Sequence, residues 1–211
     1  MAFAEQIKQL CETQSGPYRR PFTPNTQWEN ADVFIVGTNP ATPMRSQFDS
    51  FEHYWCALTV DPQIYWERYR AAHSGRASKS TANANLLLDL LSPLNVLVTN
   101  VVWYPVEKKK FIPKQEWEIG VKALSGLYEH VKPKVVFCHG ADAQRFAQQL
   151  CPRADRYRPL SDQQLNTSNG TLVFCYHHFS GQGLRAGSKF QPRVDFPVVA
   201  QMIHDHVAGR A

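Results

Sequence analysis

The sequence lacks the cysteine patterns that hold small secreted domains or metal centres together. Its five cysteines are an odd number and form no C-x-x-C pair. The amino terminus is amphipathic and charged, whereas a secretion signal places a basic segment before an apolar core. These absences predict reduced thiols in the cytoplasm. Cys138 and Cys175 fall inside predicted strands, and we interpret them as small core residues rather than nucleophiles or metal ligands.

Long apolar runs and phosphate-loop motifs are also missing. The apolar runs are shorter than the roughly 18 residues that a membrane span requires, so no membrane association is predicted. Neither G-x-x-x-x-G-K-[ST] nor G-x-G-x-x-G occurs, which disfavours an enzyme for small phosphorylated ligands. A chain of 211 residues with 43% hydrophobic residues suits one globular domain, 1–211, with a substantial core.

The charge balance is basic. A net charge of +5 and a pI near 9.0 suit a polyanionic partner. The basic residues are clustered at 19–20, 68–76, 108–110 and 185–193. Such clusters release counterions from a phosphate backbone, so nucleic acid is a candidate partner.

The stretch that organises the chain runs from Asp32 to Thr42 and reads D-V-F-I-V-G-T-N-P-A-T. Four consecutive apolar residues, 33–36, predict a strand that is covered on both faces. The strand stops at Gly37, and a tight loop follows at the carboxyl end, where open α/β sheets bind ligands. Asn39 in this loop is a candidate for chemistry, although asparagine also caps ordinary turns.

Strands alternate with helices along the rest of the chain. Strands are predicted from 95 to about 100 and at 33–36, 134–138 and 171–176. Helices are predicted at 3–14, 81–91, 115–131 and 195–208, and after the H-G-A-D-A segment through residue 150. This alternation implies right-handed crossovers and a parallel sheet. We therefore predict an α/β three-layer sandwich with a central parallel sheet of about four strands and helices on both faces.

Polar loops follow three of the predicted strands. They read T-N-P, T-N-V-V-W and H-H-F-S-G-Q-G-L-R, and together they are expected to surround one pocket. In the third loop, glycines flank Leu184 between cations, which suits insertion of an apolar wedge into stacked bases. The alternative is a surface loop in which Leu184 packs into the core. An aromatic-rich region at 48–69 follows the first loop; core packing explains most of its rings, and one or two could wall the pocket.

These motifs resemble the uracil-DNA glycosylase superfamily. G-T-N-P-A-T is similar to the first motif of its mismatch-specific and single-strand-selective branches, G-I-N-P-G and G-M-N-P-G. V-T-N-V-V resembles the strand-end asparagine motif, and K-P-K-V-V-F-C-H-G-A-D-A resembles the third strand and its helix. H-F-S-G-Q-G-L-R takes the place of the H-P-S motif and wedge loop. The four motifs occur in the family's order over residues 30–205.

The resemblance implies a function and roles for individual residues. Asn39 matches the residue that positions water, Asn100 matches the residue that reads the base edge, and His178 matches the motif histidine, with His177 as the adjacent alternative. The base is first flipped out of the DNA. Stacking on the base is expected from Phe48, Phe51 and Trp55, beside Ala41. DNA contacts are expected from the loop residues Ser180, Gly181, Gln182, Gly183, Leu184, Arg185 and Lys189.

The sequence also departs from the family pattern. Ala41 stands where the classical uracil enzymes have a bulky tyrosine, which suggests a pocket that accepts pyrimidines substituted at C5. Phe179 replaces the usual motif proline. The paired cysteines of the iron–sulfur branches are missing, so no cluster is expected. No lysine matches a motif position, so a Schiff base and strand cleavage are not expected either.

The sequence therefore predicts a monomeric, monofunctional DNA glycosylase without a metal or organic cofactor. Its substrate would be DNA that contains a deaminated or modified pyrimidine, either in repair or in defence against phage genomes with modified bases. Two alternatives remain open at this point. One is a non-catalytic nucleic-acid-binding domain with the same fold, and the other is an α/β enzyme acting on a free nucleotide.

Overall fold

A computed structural model describes residues 2–72, 78–163, 165–167, 169–184 and 186–209. Within these residues the α-helices are α1 (Phe3–Cys11), α2 (Phe51–Thr59), α3 (Pro62–Ala72), α4 (Lys79–Leu91), α5 (Lys114–Val131), α6 (Ala141–Leu150) and α7 (Pro192–Val207). The strands are β1 (Val33–Gly37), β2 (Val96–Asn100), β3 (Val135–His139), β4 (Leu165–Asn166) and β5 (Leu172–Tyr176).

The strands form one sheet in the order β2-β1-β3-β5-β4. The first four are parallel, which confirms the predicted α/β sandwich, and the two-residue strand β4 adds an antiparallel edge that the sequence did not predict. The register pairs Gly37 of β1 with Asn100 of β2, and His139 of β3 with Tyr176 of β5. The carboxyl ends of these strands therefore lie side by side at one edge of the sheet.

Each face of the sheet carries its own apolar layer. Phe34 and Val36 point into the cluster that includes α1, α2, α5 and α6, whereas Val33 and Ile35 point into the cluster formed with α4 and α7. This alternation follows from the two-residue period of a strand. Every residue of β1 is buried, as expected for a strand covered on both faces.

The cysteines are free thiols. Cys138 in β3 and Cys175 in β5 are buried in the sheet, and burial raises the pKa of both, that of Cys175 to about 12. Their placement confirms the interpretation of these two residues as small core side chains. None of the helices in the described ranges is long and apolar enough to span a bilayer.

Candidate active site

The loops that follow β1, β2, β3 and β5 surround one cavity of about 440 Å³ at the carboxyl edge of the sheet. Its walls include Thr38, Asn39, Ala41, Asn100, Lys109, His139, Asp142 and His178. This position is where open α/β sheets bind ligands. The prediction that the strand-end loops surround one pocket is confirmed.

Asn39 enters this cavity with a fixed amide. Its side-chain Nδ2 donates hydrogen bonds to the carbonyl oxygens of Val106, at 2.8 Å, and Pro40, at 3.0 Å. Carbonyl oxygens only accept, so these contacts settle which end of the amide is nitrogen. The Oδ1 atom accepts no hydrogen bond from the described residues and is left as an acceptor for a water molecule or a ligand.

Asn100 approaches the cavity through the space left by a glycine. A Cβ atom on Gly37 would lie 2.8 Å from Asn100 Oδ1 and 2.9 Å from His139 Nε2, closer than real Cβ contacts. Only glycine at the end of β1 therefore lets both side chains reach this point. The Asn100 amide makes no hydrogen bond with the described residues, so its donor and acceptor remain available to a ligand.

His178 also lies in the cavity, and its hydrogen bonds fix its tautomer. The backbone N–H of Ser180 donates to His178 Nδ1 at 3.3 Å, and Ser180 Oγ lies 2.7 Å from the same atom. Nδ1 is therefore the acceptor, and in the neutral ring Nε2 carries the proton. Burial lowers the pKa of His178 below its ordinary value, and Asp142 partly offsets this shift. At neutral pH His178 is thus a neutral donor.

His177 faces a different cavity, although it is adjacent to His178 in sequence. It lines a space of about 510 Å³ together with Tyr157 and Lys189. This space lies beyond the segment 178–189 that follows β5, which we call the glycine-rich loop. Neighbouring residues in extended backbone point in opposite directions, which separates the two rings. The structure therefore places His178, and not His177, beside Asn39 and Asn100.

Sequence reasoning missed Asp142 on α6. This buried carboxylate accepts a hydrogen bond from Thr38 Oγ1 at 3.1 Å and forms an ion pair with Lys109 Nζ at 2.7 Å. Lys109 reaches the cavity from the loop after β2, although the sequence offered no lysine at a motif position. The H-G-A-D-A segment contained the signal for Asp142, because it follows a predicted strand at the same edge of the sheet.

His139, at the end of β3, was missed as well. Its ring stacks on Phe179 with a centroid distance of 3.9 Å and an interplanar angle of 6°. Its Nδ1 is buried and has no hydrogen-bond partner among the described residues. Burial, assisted by the nearby His178 ring, lowers the pKa of His139 to about 3. Phe179 is itself a core residue and does not line the cavity.

The aromatic residues predicted to stack on the base need a correction. Phe48, Phe51 and Trp55 do not line the cavity; they pack against the apolar cluster beneath α2 and α3. Phe48 contacts the ring of Tyr65, and Phe51 contacts that of Tyr18. Helical spacing turns these rings toward the core, which is the explanation that the sequence already offered for most of the region.

The glycine-rich loop closes one side of the cavity. Gln182 and Gly183 line it, and Gly181 and Gly183 have φ angles of 76° and 71°, a left-handed conformation that favours glycine. The Oγ atom of Ser180 contacts His178 and accepts a hydrogen bond from the Gln182 N–H at 3.3 Å. These contacts give the loop a defined turn beside the cavity.

The predicted wedge lies further along the same loop. Leu184 is 37% exposed and is therefore not packed into the core, the alternative that the sequence left open. Lys189 is exposed and lines the second cavity rather than the first. Arg185, predicted to contact DNA, lies outside the described residues. The described residues contain no group of three or more histidine, cysteine, aspartate or glutamate side chains that could hold a metal ion.

Comparison with known proteins agrees with this geometry. The family model described as the uracil DNA glycosylase superfamily matches residues 24–195, a range that contains every strand and all of the cavity residues named above. No curated protein matches the chain.

Proposed function

Because the chain belongs to the uracil DNA glycosylase superfamily, we propose that it hydrolyses the N-glycosidic bond of a pyrimidine flipped out of DNA. The observation that carries the proposal is the convergence of Asn39, Asn100 and His178 on one cavity at the carboxyl edge of the sheet. The base would be uracil or, as the open site at Ala41 favours, a pyrimidine substituted at C5.

In the proposed reaction Asn39 holds the attacking water. Its fixed amide leaves Oδ1 free to accept a hydrogen bond from that water, which orients the water oxygen toward C1′ of the sugar. The bond between C1′ and the base nitrogen breaks with its electron pair going to the base. The water oxygen then bonds to C1′, and its proton ends on the base, so the products are a neutral base and an abasic sugar.

Asn100 and His178 would stabilise the departing base. The Asn100 amide offers both a donor and an acceptor, which matches the Watson–Crick edge of a pyrimidine. His178 Nε2–H would donate to a base carbonyl oxygen, where negative charge develops as the bond breaks. A neutral imidazole is suited to this role because it needs no proton transfer to act as a donor.

Asp142 and Lys109 would act on the sugar side. The buried Asp142 carboxylate, hydrogen-bonded to Thr38, would stabilise the positive charge that develops on the sugar, with part of its own charge neutralised by Lys109 and Arg145. The same carboxylate holds the Lys109 ammonium at 2.7 Å, and a protonated amine is not a nucleophile. We therefore propose a monofunctional enzyme that leaves the strand intact, in spite of the lysine at the cavity.

Ala41 supports the preference for C5-substituted pyrimidines. It is exposed and lines the cavity, so no side chain beyond Cβ occupies the place where the classical uracil enzymes have a tyrosine. A gate of that kind works by steric clash, and its loss widens the substrate range. The open cavity also argues against a purely non-catalytic domain. We also propose that the protein acts as a monomer in the cytoplasm. Its role would be base-excision repair or defence against phage DNA with modified bases.

The test is a panel of oligonucleotides that carry uracil, a mismatched thymine or a 5-substituted cytosine, with alkali used to reveal abasic sites. We expect release of at least one 5-substituted pyrimidine. Ala41→Tyr should reduce that release at least about tenfold while changing any release of uracil by less than about threefold, because the new ring clashes only with the C5 substituent.

A free deoxynucleotide serves as the control substrate for the alternative function. Turnover of the nucleotide in the absence of activity on DNA would contradict the proposed function. Release of uracil alone, or an equal effect of Ala41→Tyr on both bases, would contradict the open-pocket preference and leave the glycosylase proposal standing.

A further inference from the structure

The second cavity, which we call the His177 pocket, lies on the far side of the glycine-rich loop from the candidate active site. It has a volume of about 510 Å³. The residues that matter here are Arg156, Arg158, Tyr176, His177, Lys189 and Asp195. The loop that carries His178 into the active site therefore also forms a wall of this pocket.

His177 is a buried residue whose ring has no hydrogen-bond partner in the described parts of the chain. The residue is 5% exposed, and its ring lies 5.3 Å from the ring of Tyr157, centroid to centroid. The ring nitrogens are not among the fully buried unpartnered atoms of the described residues, which are Trp103 Nε1 and His139 Nδ1, so they reach the open space of the pocket, where a ligand can bind them. Burial and the charge of Arg156 lower the pKa of His177, and Asp195 and Asp155 partly offset this shift. The neutral ring offers one donor and one acceptor to a ligand in the pocket.

The charges around the pocket favour an anion. Arg158 and Lys189 are exposed, and their side chains form no ion pair within the described parts of the chain. Arg156 is held in place by Gln144 Oε1 at 2.6 Å and the Tyr157 hydroxyl at 2.9 Å. The carboxylate in the pocket, Asp195, already accepts a hydrogen bond from the Tyr176 hydroxyl at 2.5 Å. The pocket is therefore lined by three cationic side chains and by one carboxylate that is already hydrogen-bonded.

The amino end of α7 strengthens this preference. The 16-residue helix begins at Pro192, and Gln191 just before it lines the pocket. Here the helix dipole is what attracts negative charge, because Pro192 has no N–H and the N–H groups of Val194 and Asp195 already donate to the Gln191 carbonyl oxygen, at 2.8 and 2.9 Å. With the unpartnered His177 and the free cations, the pocket has the donors and the charge that a phosphate group requires.

We propose that the His177 pocket binds a backbone phosphate of the DNA strand next to the flipped nucleotide. The inference rests on the proposed function, which puts that nucleotide in the cavity beside His178. Because His177 and His178 are consecutive, a strand that leaves the active site over the glycine-rich loop meets the second pocket directly. Phosphate contacts of this kind set the register of a nucleic acid and contribute salt-dependent affinity.

The test measures binding without base release. A fluorescent single-stranded oligonucleotide with an internal tetrahydrofuran, an abasic-site analogue, is titrated at several KCl concentrations. The double variant Arg158→Gln/Lys189→Gln should bind more weakly, and the slope of log Kd against log salt should fall by about 0.7, the value for one phosphate that is no longer neutralised on a single strand. Both residues are exposed, so the fold is not disturbed.

A matched control removes two cations elsewhere. Lys122→Gln/Lys132→Gln changes the net charge equally. Both side chains are exposed and form no ion pair within the described residues, and Lys132 lies between α5 and β3 at the opposite edge of the sheet. This control should keep the wild-type slope. An equal loss of slope in both double variants would mean that only general charge matters, which would overturn the proposal.

Shortened oligonucleotides locate the phosphate. Removing the nucleotides on one side of the tetrahydrofuran should abolish the difference between wild type and Arg158→Gln/Lys189→Gln, and removing those on the other side should not. A difference that persists on both would overturn a strand-phosphate site. Because no base is released in this assay, a wild-type protein that binds as expected but excises nothing contradicts only the proposed function.

Discussion

Gly37, at the end of β1, has no Cβ atom, and this leaves room for two other side chains at the candidate active site. Gly37 leaves the space in which Asn100 and His139 approach each other, at 2.8 Å and 2.9 Å from the same point. Gly140 meets the same requirement, because its φ angle is 87° and a Cβ atom there would lie 3.2 Å from the His178 ring. Two glycines at adjacent strand ends thus allow the polar groups to converge.

The lowered pKa of His139 predicts that the folded protein loses stability in acid. Burial lowers its pKa from 6.5 to about 3, so between these values the unfolded chain binds a proton that the folded chain does not. The free energy of unfolding should therefore fall as the pH decreases below 6.5, with His139 contributing roughly 2 kcal/mol by about pH 4.5. Urea unfolding at about pH 7 and about pH 4.5 measures this loss.

Two variants isolate the contribution of His139. His139→Phe keeps a ring against Phe179, and His139→Gln keeps a polar group; neither can take up the proton. Both should lose less stability than the wild type over the same interval of pH. An identical loss in all three proteins would show that other groups, such as the carboxylates, His177 and His178, set the acid sensitivity.

Part of the site was predictable from single residues. Asn39 and Asn100 each follow a predicted strand, and the rule that ligands bind at carboxyl ends of parallel strands was sufficient to select them. His139 also follows a predicted strand, at the start of the H-G-A-D-A segment, but no motif assigned it a role. The choice between His177 and His178 depends on which way each side chain points, and the sequence does not determine that at a strand end.

At the scale of elements, the loops after β1 and β2 continue the sheet's pairing into the site. The N–H groups of Val101 and Val102 donate to the carbonyl oxygens of Gly37 and Thr38, each at 2.9 Å. Helix α5 rests directly on this segment, because a Cβ on Gly120 would lie 2.5 Å from the Val101 carbonyl oxygen. Asn39 and Asn100 are therefore held on backbone that hydrogen bonds and packing both fix.

The exposed Leu184 in the glycine-rich loop leads us to expect different rates of base release from duplex and single-stranded DNA. If Leu184 is a wedge, it offsets the cost of unstacking, which is lower when the base is already unpaired. Leu184→Ala should then lower base release about tenfold on fully paired duplexes and less than about twofold on single strands. Single-turnover rates on both forms of the same sequence measure the effect.

Val198 offers a matched control for the wedge. It is 49% exposed on α7, so Val198→Ala removes a comparable apolar surface outside the glycine-rich loop. This variant should leave both rates unchanged. Equal losses on duplex and single-stranded DNA in Leu184→Ala would assign Leu184 to general backbone contact instead.

Secondary structure followed from the sequence where the apolar pattern was strong. Strand β1 and helices α4, α5 and α7 lie within a few residues of their predicted bounds. Strand β4 was not predictable, because its two residues are too few to show a period. The aromatic region at 48–69 was ambiguous for a different reason: rings at helical spacing suit a core and a binding pocket equally, and only the packing distinguishes them.

At the scale of the whole molecule, the topology gathers distant residues at one edge. Asn39, Asn100, Asp142 and His178 come from four separate strand-end segments, and the parallel order β2-β1-β3-β5 aligns those ends. The net charge of +5 adds a general attraction to a phosphate backbone. The central claim is that this edge positions one water molecule for hydrolysis of the glycosidic bond.

Asn39→Ala tests that claim most directly, through its single-turnover base release and its Kd for tetrahydrofuran DNA. Asn30→Ala, an exposed asparagine before the amino end of β1, is the matched control and should behave as wild type. Because Asn39 acts on the water and not on the phosphates, Asn39→Ala should release base at least about a hundredfold more slowly while its Kd changes less than about threefold. Weakened binding with an unchanged rate of base release would contradict the account and make Asn39 a structural residue.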